Sequence, residues 1–129
     1  EDKACHAYNN KKTERTKYFW NDGGHLYVYS IYGSNCCMNI TASDKNKPEA
    51  TLIRAVEPIE GIELIKENRK INSKKIKDLT NGPGKVCASM QIDKKFNGFD
   101  LTQKEKCYLI DNPGYEFTIG VSKRINIDY

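Results

Sequence analysis

Three tyrosines lie close together in the segment HLYVYSIYGSNCCMNI, which covers residues 25–40. Tyr27 and Tyr29 are separated by one residue, and Tyr32 comes directly before a Gly-Ser-Asn sequence that is typical of a tight turn. Exposed tyrosine rings at such a turn are able to stack on the flat bases of a nucleic acid. The alternatives are that Tyr32 packs on a neighbouring loop and that Tyr29 belongs to the core.

Other polar side chains could also take part in binding or catalysis. Arg54 is the single charge in the apolar segment ATLIRAV, and a buried charge is costly unless it is paired or used. A structural salt bridge would explain it equally well. Lys85 ends a Gly-Pro-Gly-Lys sequence that opens a helix, where backbone N–H groups and the lysine could bind a phosphate. Taken alone, His6 and Asn39 are more typical of a surface residue and a backbone-bonded edge residue.

The composition narrows the class of protein. The 129 residues suffice for one domain, and the formal net charge of +4 favours an anionic partner only weakly. No apolar run is long enough to cross a bilayer, so we expect no membrane association. Five cysteines form an odd number without Cys-x-x-Cys spacing, and the two histidines are far apart in sequence. A disulfide framework and a metal site are therefore not expected.

The elements that must position these residues can be predicted from periodicity. Leu26, Val28 and Ser30 alternate with Tyr27, Tyr29 and Ile31, which indicates a half-buried strand. A second strand is predicted over residues 37–40, a third over 50–56 and a long last strand over 117–127. One helix is predicted from Glu57-Pro58 to about Arg69, and another from residues 82–85 through Met90.

These elements predict an α+β fold. We expect a single mixed domain over residues 1–129, with a curved antiparallel sheet, a protruding β-hairpin and helices around them. The chain opens in mid-pattern and closes inside the last predicted strand, which would leave sheet edge uncovered. We therefore expect the domain to be partial, truncated at both ends, with more protein flanking it.

Six blocks of the sequence together resemble the alkyladenine DNA glycosylase family, the mammalian-type 3-methyladenine DNA glycosylases. The blocks cover nearly the whole chain, and they are Asp2–His6, Gly24–Tyr29 with Ile31-Tyr32-Gly33, Cys37–Ile40, Leu52–Ala55 with Glu57-Pro58, Gly82–Lys85 and Arg124–Ile127. The resemblance implies an enzyme of base excision repair that flips alkylated or deaminated purines out of duplex DNA and hydrolyses the N-glycosidic bond with an activated water. It also implies double-stranded DNA with damaged purines as the partner, no cofactor, a monomer, and a nuclear location with an organellar form also open.

The resemblance assigns the binding roles by position. Tyr32 matches the wedge that intercalates into DNA, and Gly33 and Ser34 complete the DNA-binding tip. Tyr29 matches the tyrosine that stacks on the flipped base, with His6 on the other side of the pocket. A cationic purine would gain about 0.5–2 kcal/mol from such an electron-rich ring. Asn39 matches the asparagine that crowds the amino group of guanine and so disfavours normal purines.

The catalytic roles follow in the same way. Arg54 matches an arginine that holds the attacking water and a phosphate, and Lys85 would contact a DNA phosphate. Ile127 falls where a backbone carbonyl of the family touches the same water. Tyr27 shares a strand face with Tyr29, but the match points to Tyr29, so we expect Tyr27 to have a structural role only.

The sequence also departs from the family pattern. The family's general base is a glutamate in a Glu-x-Glu-Ala-Tyr block before the His6 block, and Glu1 comes too late to match it. We therefore expect residues 1–129 alone to be inactive and the parent protein to be active. Ser34 and Asn35 stand where the family often has large side chains. Two alternatives stay open: a non-catalytic DNA lesion-binding domain and a single-stranded nucleic-acid binder.

Overall fold

Two antiparallel strands form the hairpin that carries the tyrosines. The computed structural model describes residues 2–129. Strand β1 covers Leu26–Ile31 and strand β2 covers Asn35–Thr41, with Tyr27 opposite Asn39 and Tyr29 opposite Cys37. Strand β3, Ala50–Leu52, pairs antiparallel with the other side of β2, so the sheet order is β1-β2-β3.

Two α-helices accompany the sheet. Helix α1 covers Ile62–Arg69 and helix α2 covers Pro83–Ser89. Single turns of 3₁₀ helix lie at Tyr8–Asn10, Lys17–Trp20, Ile76–Leu79 and Lys94–Phe96. The fold is therefore α+β with an antiparallel sheet, as predicted. None of the helices in the described part of the chain has the length and apolar character needed to cross a bilayer.

The alternation in β1 is observed, but the predicted half-buried strand is buried on both faces, because its side chains enter two different cores. Leu26 and Val28 face α2, where they pack in a cluster with Met38, Val86 and Cys87. Tyr27 faces the opposite side and forms a second cluster with Phe19 and Ala7. Full burial of a Leu or Val side chain stabilises a fold by about 1.5–3 kcal/mol. The two cores therefore fix β1 from both faces, and the hairpin tip projects from a rigid base.

The third strand is shorter than predicted, because its backbone changes partner after Ile53. The N–H of Ile53 still donates to the carbonyl of Met38 at 3.1 Å. Beyond it, the hydroxyl of Thr80 donates to the carbonyl of Val56 at 2.6 Å, and the N–H of Val56 donates to the Thr80 carbonyl at 3.4 Å. Residues 54–56 therefore run toward the segment before α2, outside the sheet.

Helix α1 begins at Ile62 instead of Glu57-Pro58. Gly61 has φ +72°, a left-handed conformation that interrupts any helix arriving from Pro58. The first hydrogen bond of the helix runs from the N–H of Ile65 to the carbonyl of Gly61, at 2.9 Å. Helix α2 ends at Ser89, and Met90 is exposed instead of sharing the buried face of Val86.

The predicted strand over residues 117–127 is wrong. Phe117, Ile119, Val121 and Ile125 are 72–92% exposed, and the segment has no strand pairing. Alternation produces a strand only where a sheet edge receives it, and within residues 2–129 the ladders end at β1 and β3. The segment is instead tied to the opposite end of the chain by an ion pair between Arg124 and Asp2.

Candidate functional site

An aromatic group, defined as His6, Tyr27 and Tyr29, lies on the face of the sheet opposite α2. Nδ1 of His6 and the hydroxyl of Tyr27 share a hydrogen bond of 2.8 Å. The His6 ring meets the Tyr29 ring at a centroid distance of 4.7 Å and an angle of 67°. Tyr27 and Tyr29 are 5.3 Å apart with a tilt of 34°. The predicted base-binding residues His6 and Tyr29 are therefore direct neighbours.

Local hydrogen bonds explain how the chain brings His6 to this face. A carboxylate oxygen of Asp2 accepts from the N–H of Ala4 at 2.9 Å, and its carbonyl accepts from the N–H of Cys5 at 3.1 Å. These bonds fold residues 2–7 into consecutive turns. On the sheet side, Phe19 meets Tyr27 edge-on at 4.6 Å, and Tyr27 is only 1% exposed. Tyr27 is thus a core residue whose hydroxyl group forms the hydrogen bond with His6.

The aromatic group is electrically neutral near pH 7. Burial, and to a lesser degree the nearby Arg15, lower the pKa of His6 below its usual 6.5. Burial first, and then the neighbouring Cys37, raise the pKa of Tyr29 to about 12. An imidazole and a phenol without charge present flat, polarisable faces and edges to a ligand. The arrangement suits stacking on an aromatic ring.

Arg15 is a site neighbour that the sequence analysis missed. Its guanidinium carbon lies over the Tyr29 ring at 6.0 Å from the centroid. In the sequence, Arg15 belongs to a short cluster of basic residues that is indistinguishable from ordinary surface charge. Only the 3₁₀ turns between residues 8 and 20 bring it against β1, and turns of this kind leave no periodic signal.

Asn39 joins the aromatic group through β2. It lies directly opposite Tyr27, so both side chains project from the same face of the sheet. Its Nδ2 donates to the carbonyl oxygen of Tyr27 at 3.3 Å, and the residue is half-buried. His6, Tyr29 and Asn39 are therefore brought together on one face. The hydrogen bond to backbone that the alternative interpretation expects is present as well, but β2 is the central strand of the sheet and not an edge.

Tyr32 lies at the hairpin tip and is 96% exposed. It has φ +38° and is followed by Gly33 at φ +77°. A left-handed conformation is strained for tyrosine, and such strain persists only where the surrounding structure enforces it. The alternative of a ring packed on a neighbouring loop does not hold. With Gly33 and Ser34, Tyr32 forms the loop between the two strands.

Arg54 and Lys85, called the basic pair below, meet at the start of α2. Nη1 of Arg54 donates to the carbonyl of Asn81 at 2.7 Å, and Nζ of Lys85 donates to Oδ1 of the same residue at 2.6 Å. Arg54 is exposed beyond the end of β3, so the expectation of a charge buried in an apolar strand is wrong. A Cβ built on Gly84 would lie 3.7 Å from that of Asn35, which places α2 beside the first residue of β2.

Ile127 lies near the chain end and is half-buried. Three residues earlier, both terminal nitrogens of Arg124 donate to the Asp2 carboxylate, at 2.8 and 3.0 Å. This bidentate pair ties the last segment to the turns that carry His6. The structure thus connects the segment of Ile127 to the site through Arg124, and the role of Ile127 stays a prediction.

A cleft of about 500 Å³ borders the aromatic face. Its lining includes Cys5, Ala7 and Ala50, which also pack in the cluster around Tyr27, together with the carboxylates of Asp2 and Glu49. Among residues 2–129, no three His, Cys, Asp or Glu side chains gather closely enough to hold a metal ion. The five cysteines are free thiols.

Comparison with known proteins assigns the chain to a family. A sequence model described as methylpurine-DNA glycosylase (MPG) matches residues 1–129. Relatives named "Putative 3-methyladenine DNA glycosylase" occur in Clostridium novyi (strain NT), at 52% identity over 99% of this chain, and in Natranaerobius thermophilus, at 48% over 100%. A third, from Clostridioides difficile (strain 630), is 43% identical over 99% of this chain. The matches cover 66%, 66% and 71% of these relatives, so the chain spans about two thirds of their length. The chain belongs to the methylpurine-DNA glycosylase family.

Proposed function

We propose that the protein containing this chain is a DNA glycosylase of base excision repair. It binds duplex DNA as a monomer, extrudes an alkylated or deaminated purine, and hydrolyses the bond between that purine and its sugar. Membership of the family supports this reaction, and the relatives reported above carry the name of one such activity. The nuclear location stays a prediction, and these relatives are bacterial.

The observation that carries the proposal is the exposed ring of Tyr32 at the tip of the tyrosine hairpin. A base cannot react inside the duplex stack, so it must be extruded at a cost of roughly a few kcal/mol. An aromatic ring inserted into the vacated position restores stacking to the neighbouring bases. Tyr32 is 96% exposed, and β1 is buried on both sides behind it. The ring can therefore enter DNA without disrupting the packing of either core.

The aromatic group is proposed as the base pocket. Tyr29 would stack on the extruded purine, and His6 would contact it from a second direction. Asn39, half-buried opposite Tyr27, would collide with the 2-amino group of guanine and so reject a normal base. The neutral state of both rings suits contact with a purine face.

The basic pair is proposed to hold phosphate and water. Arg54 would orient a water molecule and a phosphate beside the sugar, Lys85 would contact a second phosphate, and the carbonyl of Ile127 would accept from the same water. In hydrolysis the water oxygen bonds to C1′ while the bond from C1′ to the purine nitrogen breaks. The purine leaves with the bonding electrons, and a carboxylate takes the proton of the water. Family resemblance assigns that carboxylate to a glutamate before residue 1.

The test is base release by the complete protein. A duplex with one hypoxanthine is incubated with excess protein, and alkaline cleavage at the resulting abasic site is measured over time. The proposal predicts cleavage at hypoxanthine and none in an otherwise identical undamaged duplex. Binding without release would instead identify a lesion-binding domain. Equal affinity for undamaged single strands would identify a single-stranded nucleic-acid binder.

A further inference from the structure

Arg15 is a positive charge at the proposed base pocket that none of the assigned roles uses. Its guanidinium carbon lies over the ring of Tyr29 at 6.0 Å from the centroid. It also acts on His6, since its charge is one of the two causes that lower the pKa of that imidazole. Arg15 therefore lies over one of the two rings assigned to the base and acts electrostatically on the other.

Arg15 is held beside the pocket by its own backbone. Asn97 donates from Nδ2 to the carbonyl of Arg15 at 3.4 Å, and Oδ1 of the same Asn97 accepts from the N–H of Val28 at 3.0 Å. The next residue, Thr16, is buried and donates from its hydroxyl to the carbonyl of Lys11 at 3.1 Å. The segment carrying Arg15 is thus fastened to β1, the strand that carries Tyr29.

Purine lesions differ in charge. Methylation at N7 of guanine or N3 of adenine leaves a cationic base in DNA, whereas hypoxanthine and ethenoadenine are neutral at pH 7. A cationic base gains from an electron-rich ring, but the positive charge of the Arg15 guanidinium, 6.0 Å from the centroid of that ring, repels it. A neutral base meets no such repulsion. One residue can therefore shift the pocket's preference between the two charge classes.

We propose that Arg15 is a specificity-determining residue that disfavours cationic purines relative to neutral ones at the Tyr29 pocket. This inference rests on the proposed function, because it takes the aromatic group as the site of the extruded base. It concerns binding of the lesion before the bond breaks, since the positive charge leaves the base for the sugar as the reaction proceeds.

The experiment compares binding of two lesions to the complete protein. The duplexes carry 2′-fluoro nucleotides, which resist cleavage, with either N7-methylguanine or hypoxanthine at the same position. Dissociation constants are measured for the parent, Arg15→Gln and Arg15→Lys. Lys17→Gln is the matched control, since it removes a positive charge that lies over Tyr18 instead of Tyr29.

Arg15→Gln is expected to shift the affinity ratio toward N7-methylguanine by roughly threefold to tenfold, from Coulomb's law between partly hydrated charges. Arg15→Lys and Lys17→Gln should leave the ratio close to that of the parent. An unchanged ratio in Arg15→Gln would overturn the inference. An equal loss of affinity for both duplexes would also overturn it, because that result identifies a phosphate contact.

Failure of this inference can be told apart from failure of the proposed function. The ratio is read from binding, whereas the proposed function is read from release of hypoxanthine by the parent protein. If the parent protein releases hypoxanthine but Arg15→Gln leaves the affinity ratio unchanged, the proposed glycosylase function stands and only the role of Arg15 is refuted.

Discussion

At the scale of single residues, His6 shows how burial sets a chemical state. The imidazole contacts two tyrosine rings and is hydrogen-bonded to one of them. Burial and Arg15 lower the pKa of His6, so the folded protein holds a neutral ring where an exposed histidine would begin to ionise. The Asp2–His6 motif was sufficient to predict His6 as a site residue, but neither its contact with Tyr27 nor its neutral state follows from the motif.

Protein stability is expected to depend on the protonation of His6. In the unfolded chain the imidazole has a pKa of about 6.5, and in the folded chain its pKa is lower. Below pH 6.5 the unfolded state binds a proton that the folded state resists, so the free energy of unfolding should fall as pH falls. Urea titrations between pH 5 and 8 measure this slope. The slope should become shallower in His6→Gln, and an identical slope in that variant would contradict the assignment.

Asn39→Ser should relax discrimination against guanine-type bases. Serine is shorter and removes the amide that we expect to collide with the 2-amino group, and a pocket contact of this size is worth roughly tenfold. The variant also loses the bond to the Tyr27 carbonyl, at a cost of about 0.5–1.5 kcal/mol in stability. Release rates on guanine-type and hypoxanthine duplexes give the ratio. Asn35→Ser, in the same strand at the tip, is the control, and no change in the Asn39→Ser ratio would refute the exclusion role.

At the scale of elements, the hairpin could be predicted and the chain end could not. Strict alternation through Leu26–Ile31 and turn residues after Tyr32 fix both strands and their faces, because each face has its own core. Residues 117–127 alternate as clearly, yet they stay exposed, since alternation says nothing of which edge a strand will join. Arg54 was misjudged for a related reason. Its segment leaves the sheet and hydrogen-bonds to Thr80 and Asn81 instead. Such a change of hydrogen-bond partner leaves no pattern in the sequence.

The hairpin tip is expected to contribute to DNA binding and little to folding. Tyr32→Ala should weaken binding to a lesion duplex by about 1–3 kcal/mol, the usual value of one stacked ring. Because the ring is 96% exposed, the free energy of unfolding should change by less than about 0.5 kcal/mol. Fluorescence anisotropy and urea denaturation measure the two quantities. Tyr115→Ala, which removes an exposed tyrosine outside the hairpin, should leave the affinity and the free energy of unfolding unchanged. Parent-like affinity in Tyr32→Ala would show that Tyr32 does not act as a wedge.

Arg54, which is hydrogen-bonded to the turn before α2, is expected to contribute to the hydrolysis step. Arg54→Ala should slow base release in the complete protein by roughly tenfold to hundredfold, as loss of a positioned electrostatic group does. Binding of the lesion duplex should be largely retained, because Lys85 still donates to Asn81 at the same turn. Single-turnover kinetics separate rate from affinity. Equal rates for Arg54→Ala and the parent would exclude Arg54 from the site.

At the scale of the whole molecule, the Asp2–Arg124 pair joins opposite ends of the chain. It fastens the exposed segment before Ile127 to the turns that carry His6. Arg124→Gln should increase amide hydrogen exchange in residues 121–129 and 3–7, and the charge swap of Asp2→Arg with Arg124→Asp should restore protection. Lys123→Gln removes the neighbouring charge as a control. Unaltered exchange in Arg124→Gln would show that the pair does not hold the two segments together.

We infer that the complete protein extrudes a purine from the stack and fills the gap with Tyr32. The most direct measurement places fluorescent 2-aminopurine next to hypoxanthine in a duplex and follows its emission during titration with the complete protein. Extrusion of hypoxanthine unstacks its neighbour, so the emission should rise to a plateau, and the rise should be much smaller for Tyr32→Ala. Emission that stays at the level of free duplex while anisotropy shows saturated binding would contradict extrusion of the purine.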